Sequence, residues 1–478
     1  MQEVETDMAG TTVNSTRTAA AAGTESGIHV AAQASSAAGP QAPKKLPRWA
    51  LLDGLRLVAA LLVVLYHYVG SHKTNWDEPA AEAWPLLHKF AALGNLGVPL
   101  FFIISGLVVF RSLEGRSTAR FAGSRIGRIA PAFWLSVLIA GPLQLFFFDY
   151  KSLEWADILW NMTLGGPPIF GELSGQGFSW VDTVYWTLWI EARFYIMLVV
   201  ARWVLRWMKL DRPEGWTALC GGWIVFSAWT IHEHGIPELQ SWVSWFAFPT
   251  YAGLFAGGML IHVIAKHGFT WVRGGVLAAA IAQASWATAL DLTVRTSSVT
   301  DVDVPAFVYA VAVLVFFAMV LAIVMTPALS RVRWSWLTTA GALTFPVYLL
   351  HGILGRFAIE SLAPWMPAGL LLTLLLSALL GAAWLVNKFV EQPLGSRLTG
   401  WVEHGLDALS DVVTARRSRL LMRHLGLTVQ GSSVQGSPVT APSPTPVLES
   451  RDGAAHTAEV AVVAEATPAT AQKVTPTA

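Results

Sequence analysis

The sequence predicts an all-α polytopic membrane protein with about ten transmembrane helices. Two observations carry this. Of its 478 residues, 54% are hydrophobic and only 13% are charged, where soluble domains usually carry about 25%. The apolar residues also fall in runs of about 20, the length a helix needs to cross a bilayer. The 23 Trp residues agree with this, since Trp favours the membrane–water interface. A net charge of +1 argues against a nucleic-acid partner. The single cysteine, Cys220, excludes an intrachain disulfide framework and a Cys-based metal site. No metal site and no resident cofactor are expected.

Ten segments are long and apolar enough, at roughly 50–71, 94–111, 129–148, 185–205, 217–232, 243–265, 274–291, 305–326, 339–360 and 367–390. They form a membrane domain over 44–398. Before it, 1–43 is rich in Ala, Thr, Ser and Gly and reads as a disordered tail. After it come a basic, partly helical segment, 399–428, and a second tail, 429–478. No cleavable signal peptide is expected, because the charged-then-apolar start is missing.

Basic residues fix the orientation. Lys44, Lys45 and Arg48 precede the first span, and Arg111, Arg116, Arg120, Arg125 and Arg128 fill the second loop. Arg202, Arg206, Lys209 and Arg212 fill the fourth. The intervening loops are poor in Lys and Arg. Alternate loops therefore agree on a multi-pass protein of the cell membrane with both termini cytoplasmic.

Ionisable groups inside the bilayer are costly and mark function by default. The stretch LDGLRLVAALLVVLYH places Arg56 and His67 eleven residues apart. That is close to three helical turns, or about 16 Å along one face. The spacing alone admits two readings: a functional pair, or an Arg that snorkels to the headgroups with a His at the far interface. Asp53 is expected to pair with Arg56 or with a loop Arg. Arg125 and Arg128 are three apart on one face entering the third span, just before Pro131. They suit phosphate recognition or a plain topology signal. WTLWIEARFYI sets Glu191 among aromatic residues, where it needs a partner such as His67 or Arg56. LTFPVYLLHG places Tyr348 and His351 three apart. Ser105 reads as a small packing residue rather than a nucleophile. Pro393, in FVEQPL, reads as a helix stop, and Glu391 as a local cap.

Five stretches now stand in order: LDGLRLVAALLVVLYH, GVPLFFIISGLVVF, RIGRIAPAFWL, WTLWIEARFYI and TFPVYLLHG. Together, over about residues 48–398, they resemble the acyltransferase 3 family of membrane acyltransferases. The resemblance implies a ten-helix core that uses cytoplasmic acyl-CoA as donor, with acetyl the expected group. It implies a hydroxylated glycan or small-molecule acceptor, with no bound cofactor. His67 matches the family's catalytic histidine, and Arg125 and Arg128 its paired donor-side arginines. Glu191 matches the first acid of a W-S-L-x-x-E-E-Q-F-Y pattern. The chain departs there, with Ala192 and Arg193 in place of the usual Glu and Gln.

The expected mechanism has Arg56, Arg125 and Arg128 holding the phosphates of CoA, with His67 either the base for the acceptor hydroxyl or the carrier of a covalent acyl-His intermediate. Glu191 would orient the ring, and Trp180 and Asp182 would offer acceptor contacts. Two rival readings are a transporter of a sugar-like or acylated substrate that uses the same His, Arg and Glu as a proton relay, and a non-catalytic membrane scaffold, which would have no reason to keep such costly charges.

Overall fold

The computed structural model describes residues 49–148, 153–165, 179–236 and 246–424, with side chains up to 412. The expected tails, and much of the 149–184 loop, lie outside the described residues.

The helix α1 (Ala50–Leu65) is apolar apart from Asp53 and Arg56, and it runs straight into a π-helical turn, Tyr66–Gly70. A connection with three short helical turns, Ala80–Ala83, Leu87–Ala91 and Ala92–Leu96, leads to α2 (Gly97–Leu113). Next comes α3 (Thr118–Phe147), capped by Ser117, whose side chain accepts from the Arg120 amide. This helix starts well before the expected span at 129. Arg125 and Arg128 are therefore within it, and Pro131 is inside the helix rather than near its start. Then follow α4 (Tyr185–Trp207), α5 (Pro213–His234), α6 (Ala252–His267), α7 (Trp271–Thr300) and α8 (Ala306–Met325). The ninth expected span is two helices, α9 (Ser335–Leu350) and α10 (Gly352–Leu362), in a pair bent by 65°. The described residues end in α11 (Ala368–Val386), a π turn at Asn387–Glu391, and α12 (Gln392–His424).

Among the described residues, six helices are long and apolar enough to cross a membrane, or seven with the bent pair. The other three segments that the sequence suggested, α4, α5 and α6, fall short of that standard. Charges at Glu191, Arg193, Arg202 and Arg206 interrupt α4, and α6 has only 16 residues. In α5, Gly, Trp and Thr dilute the apolar residues. The count of ten is thus approximate.

Pro393 does not stop a helix. The helix passes from α11 through the π turn into α12, and the widened turn accommodates the proline's missing amide. Glu391 pairs locally, accepting from the Asn387 amide at 2.6 Å. Contacts divide the chain after Val412, with the bundle in the first unit.

Two contacts organise the bundle, α2 against α6 and α1 against α9. The first depends on small residues. A Cβ at Gly106 would collide with the Phe255 carbonyl, and one at Gly258 with the Ile103 carbonyl. Without water to drive helices together, such backbone approach is a main source of association in lipid. Gly106→Ala should therefore lower stability by about 1–3 kcal/mol through overpacking. Gly222→Ala, at a position with open space around it, should leave the melting temperature unchanged or raise it. Thermal melting in detergent compares the two.

Candidate active site

His67 sits in the π turn that ends α1. Its Nδ1 is 2.9 Å from the Val63 carbonyl oxygen and 3.2 Å from Nε2 of His351. Nδ1 of His351 is 2.6 Å from the Tyr348 carbonyl oxygen. Carbonyl oxygens only accept, so the Nδ1 of each ring carries its proton. His351 Nε2 is then a bare acceptor facing the N–H of His67. This leaves Nε2 of His67 as an unprotonated lone pair. The partners thus assign the tautomer that a general base needs. The residue beside His67 is His351, not Glu191.

His351 is held by the break in its own helix. It stands between α9 and α10, where backbone amides lose their intrahelical partners. Asp182 supplies one acceptor from the segment before α4. Its Oδ2 accepts the Ile353 N–H at 2.8 Å, and its Oδ1 accepts the Val184 N–H at 3.1 Å. The approach requires Gly352, since any side chain there would collide with the carboxylate. Ser136 donates to the Leu349 carbonyl at 3.0 Å, and the Tyr348 hydroxyl bonds Thr187 Oγ1 at 2.6 Å. Asp182 is therefore a buried cap rather than a sugar contact, and Tyr348 braces α9 against α4.

Two cavities flank Tyr348. One, of about 60 Å³, is lined by Arg56, Ser105, Arg125, Arg128, Glu191 and Tyr195, among others. Here Glu191 Oε1 accepts from the Tyr195 hydroxyl at 2.6 Å and from Ser105 Oγ at 3.1 Å. Asp53 is in electrostatic range of Arg56. Arg125 donates to Ser112 Oγ at 2.6 Å, and its Nε is buried without a partner. Arg56 and Arg128 make no side-chain hydrogen bond or ion pair within 4 Å among the described residues. Three guanidinium groups thus face one carboxylate, so the cavity is built for an anion. The second cavity, of about 230 Å³, lies on the other side. It is lined by His67, Lys73, Trp186, Tyr251, Asp291 and Arg295, among others. Val98 and Tyr348 line both cavities.

The structure therefore brings Arg56, Arg125, Arg128 and Glu191 together, and His67 with His351, with Tyr348 between the two groups. Trp180 is half-buried and lines neither cavity. Sequence reading missed the second cavity's wall. Its signal was there in Asp291 and Arg295, an i,i+4 ionisable pair on an apolar helix, bonded at 2.6 Å. No group of three or more His, Cys, Asp or Glu side chains with metal-binding geometry occurs among the described residues.

A family model, described as an acyltransferase domain, matches residues 49–387. The chain belongs to the acyltransferase 3 family. It is a membrane acyltransferase, which sets the transporter reading aside. No curated protein and no solved structure matches the chain. The family match spans α1 through α11 and includes every residue of both cavities. The Ala192 and Arg193 departure falls on α4, next to Glu191. Arg193 turns away from the first cavity and stacks over Trp189 and Phe248, at 5.1 and 5.8 Å from their ring centroids.

Asp182 yields a pH prediction. Burial pushes its carboxyl up to about 6, against the two amide hydrogen bonds that lower it. A carboxyl raised in the folded state binds its proton more tightly there than in the unfolded chain, so stability falls as pH rises through the window between the two pKa values. Melting temperature should drop between about pH 4 and about pH 6. Asp182→Asn should flatten that limb, and a limb unchanged in the variant would assign it to another group.

Proposed function

We propose that this acyltransferase moves an acyl group, acetyl by family resemblance, from acyl-CoA to a hydroxyl of a carbohydrate or glycosylated small molecule. The observation that carries this is the pair of cavities meeting at Tyr348, one lined by three guanidinium groups against a single carboxylate and the other by His67 with a free Nε2. The positive-inside pattern makes the arginine side cytoplasmic, with both termini on that side of the cell membrane. CoA is a cytoplasmic, multiply charged phosphate ester, and Arg56, Arg125 and Arg128 would bind its phosphates as charge-assisted donors. The narrow pantetheine arm would then carry the thioester past Val98 and Tyr348 to His67.

There, His67 Nε2 takes the proton of the acceptor hydroxyl as its oxygen attacks the thioester carbonyl carbon. The C–O bond forms, the C–S bond breaks, and the thiolate leaves with the proton that His67 held. The products are the ester and free CoA. Throughout, His351 keeps Nδ1 of His67 as the donor side, so that Nε2 stays the reactive nitrogen. Glu191 is a positioning residue of the donor cavity. It holds Tyr195 and Ser105 and offsets part of the guanidinium charge.

Free CoA release by the purified protein in nanodiscs tests this. His67→Ala should lower turnover by about 10²–10⁴, the usual share of a general base, while the protein still inserts and melts normally. Normal turnover would remove His67 as the base. Arg128→Ala should raise KM for acetyl-CoA about tenfold with little change in kcat, as expected for a lost charge-assisted contact. An unchanged KM would return Arg128 to a purely topological role. Deleting 430–478 should leave turnover intact.

A further inference from the structure

The cavity beside His67 has a composition that a neutral acceptor does not explain. Its charged side chains are Lys73, Asp291, Arg295 and, when protonated, His67. Asp291 is already satisfied, accepting from Arg295 Nε at 2.6 Å and from the Tyr251 hydroxyl. Arg295 in turn lies over Trp186, 5.6 Å from its ring centroid. Asp301, on the turn after α7, is engaged by His72 at 3.3 Å. Lys73 has no ion pair among the described residues, and it follows the π turn that carries His67. The cavity therefore holds one uncompensated positive charge within electrostatic reach of the proposed base.

A second observation points to a ligand in the same space. Asn95 lines this cavity, is 7% exposed, and donates from Nδ2 to Thr296 Oγ1 at 2.7 Å. Its Oδ1 is buried with no hydrogen-bond partner. A buried amide oxygen left unmatched is costly; it has no surface open to the cavity as it stands, so a bound hydroxyl would satisfy it only once the amide turns. Trp186 and Tyr251 stand together on the same wall, with ring centroids 5.8 Å apart. They offer the apolar face on which a sugar ring packs.

We infer that the acceptor carries a negative charge, a carboxylate or a phosphate close to the acylated hydroxyl, and that Lys73 is the residue that selects it. The Asn95 amide, turned toward the cavity, accepts from one of the acceptor's hydroxyls, and the Trp186–Tyr251 wall holds the ring. The inference rests on the acyl-transfer reading and deepens it, since it names the charge class of the second substrate. Lys73 is exposed, which suits selection at the mouth of the cavity. Its substitution should not disturb folding.

The test uses the full-length protein in nanodiscs and three probes: methyl β-glucoside, methyl β-glucuronide and glucose 6-phosphate. Binding is read by saturation-transfer NMR, and CoA release from acetyl-CoA is read in parallel. At least one anionic probe should bind about fivefold more tightly than the neutral glucoside, the upper range for one partly exposed ion pair. Whether the carboxylate or the phosphate is preferred names the source of the charge. Lys73→Gln should erase the preference, and Lys73→Glu should reverse it. Equal binding of neutral and anionic probes, binding of none, or a preference that survives Lys73→Gln would overturn the inference. The two readings fail separately. Selective binding without CoA release would count against acyl transfer from acetyl-CoA to a sugar hydroxyl and keep the anionic subsite, while CoA release without selectivity would do the reverse.

Discussion

A helix broken inside a membrane must find new partners for the backbone groups it frees, because hydrocarbon offers none. The candidate site depends on how the break at His351 meets that requirement. Asp182 reaches the break from a segment about 170 residues earlier and accepts the Ile353 amide. Ser136 covers the Leu349 carbonyl, and Gly352 leaves the space that the carboxylate occupies. Each contact comes from a different part of the chain. Together they fix where His351 stands, and His351 fixes which nitrogen of His67 is free.

Charge is divided across the same point. The guanidinium groups of Arg56, Arg125 and Arg128 lie in one cavity and His67 in the other, with Val98 and Tyr348 shared. Keeping the groups apart has a physical benefit. Three guanidinium groups next to the imidazole would oppose its protonation, and a base must take up a proton to work; the one guanidinium in His67's own cavity, Arg295, is neutralised by Asp291, which leaves Lys73 as that cavity's net charge. Glu191 sits with the arginines for a matching reason. There it moderates three like charges in a space of low dielectric, where their repulsion is strongest.

Much of this was legible in the sequence, because a membrane makes ionisable residues conspicuous. Arg56, His67, Arg125, Arg128, Glu191, Tyr348 and His351 stood out against apolar runs, and the structure gathers all of them around Tyr348. What was not legible is pairing across distance. Nothing local says that Asp182 caps Ile353, or that His351 rather than Glu191 faces His67. Helix ends were misread where a second signal overlay them. The arginines of the second loop looked like topology, which hid the start of α3 at Thr118. Pro393 looked like a stop because a π turn that absorbs a proline has no sequence mark. The expected end of the seventh span at 291 cut α7 short and concealed Asp291 and Arg295 as cavity residues.

A neutral imidazole behind His67 has a consequence that a carboxylate would not. In a Ser-His-Asp arrangement the buried carboxylate stabilises the imidazolium while the acyl group changes hands. His351, with its Nδ1 proton committed to the Tyr348 carbonyl, offers His67 a lone pair but no charge. The orientation is kept and the electrostatic support is weaker. Under the proposed mechanism the imidazolium is therefore short-lived, and its proton passes readily to the departing thiolate. A thioester tolerates such a base because the thiolate is a better leaving group than an alkoxide or amine, so less stabilisation is needed at the moment of bond breaking. The neutral pair also suits its surroundings, since a second permanent charge deep in the bundle would itself need a partner. The choice of histidine over carboxylate behind the proposed base thus suits both the medium and the proposed thioester donor.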